Sequence, residues 1–112
     1  MAKSFFEVEQ VPRKTILKVE VLELYLRDNV FHEKSIKFLV GSDLERFLDL
    51  LALAKNNPSF KVSTPIELDF ILENGGKKRF RADKYLVRPS VPGSAVGNTW
   101  EVSESLATFF QP

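Results

Sequence analysis

The sequence has no cysteine and, among its 112 residues, one histidine, one methionine and one tryptophan. Without cysteine there is no disulfide, thiolate nucleophile, iron–sulfur cluster or cysteine-based zinc site. A single histidine, His32, excludes multi-histidine metal centres. Nucleophile-elbow, P-loop and dinucleotide-binding glycine motifs are all missing, and Asn74-Gly75-Gly76 is too short to cradle a phosphate and reads as a turn. His32-Glu33 is better read as a surface pair on a strand than as a general acid and base, and Glu67, Asp69 and Glu73 read as solvated acids. No catalytic residue, metal or cofactor is therefore expected, and the chain is not read as an enzyme. A charge excess is missing too, the formal net charge being +1. No stretch approaches the ~18 apolar residues of a membrane span. The start, Met1 to Phe6, runs into Glu7 and Glu9 before any long apolar region develops, unlike a signal peptide. The expected location is the cytoplasm, or the host cytoplasm for a viral protein.

What is present is ordinary core-forming material, 44% hydrophobic with ten phenylalanines, and its length suits one domain over residues 1–112. Residues 5–9 read as a short strand. Residues 14–27 carry apolar positions whose phase switches between Val21 and Leu22, so a strand there needs a bulge or strong twist. Asp28-Asn29 suits a two-residue turn. Pairing outward from it sets Leu26 on Phe31, Glu23 on Lys34, Val21 on Ile36, Glu20 on Lys37 and Val19 on Phe38, with Leu24 and Glu33 the poor pair.

Ser42-Asp43-Leu44-Glu45 has the spacing of a capping box, and Leu44, Phe47, Leu48 and Leu51 then recur at helical spacing as far as Lys55. The apolar arc, widened by Leu50, Leu53 and Ala54, is either buried or shared with a second subunit. Residues 59–73 resume strand character, with Ile66, Leu68, Phe70 and Leu72 inward and the acids on a wet face. After the turn at Asn74, residues 77–88 form the return strand, residues 89–99 a Pro/Gly-rich loop, and residues 104–110 a short helix capped by Ser103. Phe109 and Phe110 either close the core or form a hook for a protein partner. The expected fold is α+β: an antiparallel sheet from two long hairpins, one main amphipathic helix and a short C-terminal helix. Leu22–Asn29 aligns with Leu68–Gly75, and Lys37–Val40 with Lys84–Val87. That suggests a strand–strand–helix unit used twice, in halves 14–56 and 59–110.

The charge is unevenly placed. Residues 77–88 carry six basic side chains and one acid, a local +5 against −4 for everything else. Lysine and arginine neutralise phosphates, and flat rings stack bases. Lys77, Lys78, Arg79, Arg81, Lys84 and Arg88 are the candidate phosphate contacts, with Phe80 and Tyr85 as stacking rings. Tyr25, Arg27, Lys34 and Lys37 extend the candidate surface onto the first hairpin. The competing reading of the basic strand is a charged sheet edge that blocks unwanted pairing.

The run Lys34-Ser35-Ile36-Lys37-Phe38-Leu39-Val40-Gly41-Ser42-Asp43-Leu44-Glu45-Arg46-Phe47 resembles the last strand and helix start of the PC4/PUR/Whirly-like single-stranded-DNA-binding superfamily. The Lys-Gly-Lys-Ala motif of Whirly proteins is absent. The resemblance implies basic–aromatic sheet faces that bind single strands, and a helix that packs on the sheet or forms a dimer. The reading is a protein that coats or protects single-stranded DNA, or RNA, encoded by a phage or other mobile element. It would be a homo-oligomer through Leu44, Phe47, Leu48 and Leu51. The alternative is a structural or assembly subunit, such as a virion component, that binds no nucleic acid.

Overall fold

The computed structural model describes residues 3–57, 66–90 and 98–112. The expected strand residues 59–65 and most of the expected loop, residues 91–97, lie outside the described residues. Among the described residues, seven antiparallel strands form one sheet in the order β2-β1-β4-β5-β6-β7-β3. They are β1 (Ile16–Arg27), β2 (Val30–Leu39), β3 (Lys55–Asn56), β4 (Ile66–Leu72), β5 (Lys77–Ala82), β6 (Leu86–Pro89) and β7 (Trp100–Glu101). Helices α1 (Phe5–Val8) and α2 (Gly41–Ala52) and a final 3-10 turn (Ala107–Phe110) complete an α+β fold. None of these helices is long and apolar enough to cross a membrane.

One face of the sheet presents Val19, Val21, Leu68, Phe70, Phe80, Ala82, Val87 and Trp100 to the helices. Leu44, Phe47, Leu48 and Leu51 of α2 are buried on it, with the Phe47 and Phe70 ring centroids 6.2 Å apart. Of the two uses the sequence allowed this stripe, burial or a second subunit, the structure shows these four side chains buried in the protein's own core. Phe109 is buried against Phe47, and Phe110 is half-buried, so neither forms a free hook. Arg13 ties the chain before β1 to α2, with Nη2 at 2.9 Å from Glu45 and 2.6 Å from Asp49.

Residues 5–9 are not a strand. Ser4 and Glu7 form a reciprocal capping box, and α1 carries Phe5 into the core. At the second Ser-x-x-Glu the box does not form: α2 begins at Gly41, whose φ of +57° favours glycine, and Val40 is the cap without a side-chain bond. α2 also stops at Ala52, freeing Lys55 and Asn56 to pair with β7.

The first hairpin turns at Asp28 and Asn29, both at positive φ, and pairs Leu26 with Phe31, Leu24 with Glu33 and Glu23 with Lys34 as expected. The irregularity does fall between Val21 and Leu22, but the unpaired residue is Ile36 on β2. Beyond it every pairing moves by one: Val21 faces Lys37, Glu20 faces Phe38 and Val19 faces Leu39. Leu39 thereby enters the core, and Phe38, expected opposite Val19, is 44% exposed on the other face.

The expected return strand is divided. Asp83 accepts the backbone N–H groups of Tyr85 and Leu86, at 3.0 and 2.9 Å, and turns the chain between β5 and β6. The two tight hairpins recur, but α2 follows the first, whereas β6 follows the second. Residues 104–110 contain a 3-10 turn in place of a helix, with Leu106 as cap and no side-chain bond from Ser103.

Candidate functional site

The basic strand β5 lies between β4 and β6, inside the sheet. Edge protection therefore does not explain its charges. None of the described helices packs on the face that carries Arg79 and Arg81.

Arg79 is enclosed by acids. Its Nε and Nη2 donate to Asp69 at 2.8 and 3.0 Å, a two-pronged contact across the β4–β5 ladder. Nη1 donates to Glu33, and Nη2 approaches the other Glu33 oxygen at 3.3 Å. Glu33 stands on β2 and Arg79 on β5, three strand spacings away, so both side chains reach over β1 and β4 to meet. Glu67 Oε2 lies 2.8 Å from Arg79 Nη1 as an ion pair without hydrogen-bond alignment. Glu67 and Asp69 are only 7% and 4% exposed, where solvated acids were expected. Asp69 and then Glu33, by hydrogen bonding, hold the guanidinium pKa above its ordinary value. Burial is the main influence on Glu67 and pushes its carboxyl up, with Arg79 opposing.

A carboxyl whose folded pKa is raised binds its proton more tightly in the folded state. Its contribution to stability is greatest below the ordinary carboxylate range and falls as pH rises through the raised value. Glu67→Gln removes that fall. Melting temperatures of variant and wild type, followed by circular dichroism from acid to neutral pH, should diverge in the variant's favour as pH rises. A constant difference would mean that Glu67 is not held up by burial.

Arg81 and Arg88 stand opposite each other on β5 and β6, both half-buried. Like charges so placed repel. Arg81 faces Glu67 on its other side, yet its buried Nε has no hydrogen-bond acceptor. Among the described residues, no carboxylate lies within ion-pair distance of either guanidinium. Lys77 is exposed farther along the same face.

The other expected contacts are scattered. Phe80 is in the core, its ring 5.2 Å from Phe5 and 4.9 Å from Phe70, and cannot stack on a base. Lys78 sits on the helix side, with Nζ donating to the Glu9 carbonyl at 3.0 Å. Lys84 and Tyr85 are exposed at the β5–β6 turn, not in line with Arg79. Tyr25 stacks on His32 at 5.4 Å, beside Arg27 at the hairpin tip. Lys34 pairs across the ladder with Glu23, and Lys37 Nζ donates weakly to the Thr108 carbonyl at 3.4 Å. The acids around Arg79 escaped the sequence reading. Asp69 and Glu67 become visible once the second hairpin is registered outward from its turn, which sets Asp69 on Arg79 and Glu67 on Arg81, whereas Glu33 on β2 does not.

The chain matches no family model, no curated protein and no solved structure.

Proposed function

We propose that the protein binds the phosphate backbone of single-stranded nucleic acid through the sheet face around Arg81 and Arg88. The observation that carries this reading is the facing arginine pair, two guanidinium forks with no carboxylate at ion-pair distance among the described residues, beside a third, Arg79, that is saturated with acids. A fork of this kind suits phosphate oxygens. A bound phosphate also relieves the repulsion between the two arginines. Lys77 extends the positive stripe along β5. Since Phe80 is in the core, the contact is with phosphates more than bases, and discrimination between DNA and RNA is weak.

Fluorescence anisotropy of labelled single-stranded DNA and RNA oligonucleotides, titrated across a range of salt, tests this. Two or three neutralised phosphates give a log–log salt slope of about −1.4 to −2. Arg81→Ala/Arg88→Ala should weaken binding by roughly tenfold and flatten the slope by about 1.4. Its melting temperature should not fall, because a repulsive pair has been removed. Absence of binding at low salt, or an unchanged slope in the double variant, rejects the reading.

A further inference from the structure

Lys77, Arg79 and Arg81 stand in one row along β5, on the face away from the core. Each is two residues from the next, so their Cα atoms are about 6.6 Å apart. Arg88 flanks Arg81 from β6. A nucleic-acid strand whose phosphates follow this row from Lys77 to Arg81 has to cross Arg79. There it meets Glu33.

Arg79 offers two hydrogen-bonding edges. Asp69 accepts from one of them, Nε and Nη2, at 2.8 and 3.0 Å. Glu33 takes the outer edge, accepting from Nη1 and Nη2. The acids are not held alike. Asp69 stands directly opposite Arg79 in the β4–β5 ladder and is buried, as is Glu67 beside it. Glu33 arrives from β2, an end strand of the described sheet, and its side chain is 41% exposed. Its ladder partner is Leu24, and among the described residues Glu33 has no hydrogen bond or ion pair except those to Arg79. Its side chain can swing into water with the loss of that contact alone. Arg79 is then still anchored by Asp69, with its outer edge free at the centre of the row. With Glu33 in place, three acids balance Arg79, Arg81 and Arg88; without it the face carries one net positive charge.

A phosphodiester carries one negative charge on two free oxygens, as a carboxylate does, and a guanidinium fork donates to either. Taking Arg81 and Arg88 as phosphate contacts, the reading on which this rests, we propose that Glu33 occupies a further phosphate site at Arg79 in the free protein and that a bound strand displaces it. Once the strand is held at Arg81 and Arg88, its neighbouring phosphate reaches Arg79 at a high effective concentration, an advantage that a lone phosphate lacks. Glu33 therefore sets a threshold on that surface. A single phosphate leaves it in place, and a strand spanning the row removes it.

Anisotropy titrations of a labelled single-stranded oligonucleotide at low salt provide the test. Glu33→Gln keeps the shape of the side chain and removes its charge. It should bind about fivefold more tightly than the wild type, the equivalent of one exposed ion pair that no longer has to be broken. Removing any negative charge helps a polyanion a little, so Glu23→Gln is the control. Glu23 belongs to the same hairpin but faces Lys34 on the other side of the sheet, and its variant should stay within about twofold of the wild type. In a protein carrying Arg79→Met, Glu67→Gln and Asp69→Asn, adding Glu33→Gln should likewise change affinity by less than about twofold, because the site it uncovers is gone. If Glu33→Gln binds no tighter than the wild type, if Glu23→Gln gains as much, or if the gain persists without Arg79, the proposal is overturned while the reading of Arg81 and Arg88 stands. If neither the wild type nor Glu33→Gln binds, both fall.

Discussion

Replacing Arg79 by methionine is expected to destabilise the protein by about 3–5 kcal/mol, the usual cost of stranding buried charges. Asp69 loses both hydrogen bonds, Glu67 its ion pair and Glu33 its anchor on the sheet. The two β4 acids cannot turn to water without disturbing the ladder. Urea melts at neutral pH measure the loss. It should shrink in acid, because stranded carboxylates can take up protons, and a raised folded pKa favours the folded state at low pH. Adding Glu67→Gln and Asp69→Asn to the methionine variant should recover most of the stability, since neutral groups replace the buried charges and Glu33, 41% exposed, stays hydrated. A loss below about 1 kcal/mol, the scale of a surface ion pair, would show that the acids stay hydrated.

Phe5→Ala should be comparably damaging. Phe5 is fully buried, with ring centroids 5.2 Å from Phe80, 5.6 Å from Trp100 and 6.0 Å from Phe70. Removing a core phenylalanine costs about 3–5 kcal/mol. For a domain near this size that lowers the melting temperature by about 12 °C or more. A four-residue helix has no standing of its own, so the plug and its helix are lost together. Phe6→Ala, at a half-buried neighbour, is the control. If thermal melts show Phe6→Ala to be the worse variant, the core does not depend on the Phe5 plug.

These two residues also mark where the sequence was and was not legible. A four-residue helix is too short to show a period, and the same Ser-x-x-Glu spacing occurs at Ser4 and Ser42. Only the flanking backbone decides between them: Gly41 lets α2 begin one residue before Ser42. The first hairpin was legible at its tip, where turn chemistry sets the register, as the Leu26–Phe31 and Glu23–Lys34 pairs show. It was not legible past Ile36. Which strand accommodates a bulge is decided by what fills the core, here Leu39 beside Val19. In the second half Ile66, Leu68, Phe70 and the turn at Gly75 were readable. The Arg79 cluster was not, because one of its acids arrives from β2, and that closeness exists only after the sheet is assembled. Local charge density pointed to residues 77–88 but did not separate Arg79, already taken by acids, from Arg81 and Arg88.

Trp100 is the protein's one tryptophan, and it is buried edge-on to Phe5, its indole N–H donating to Glu9 at 2.7 Å. Both neighbours belong to the first ten residues. The tryptophan emission of the molecule thus comes from one site, at the seam where residues 5–9 are stitched to β7. The protein carries an optical strain gauge for that seam, one that needs no dye and is unconfused by a second emitter of its kind.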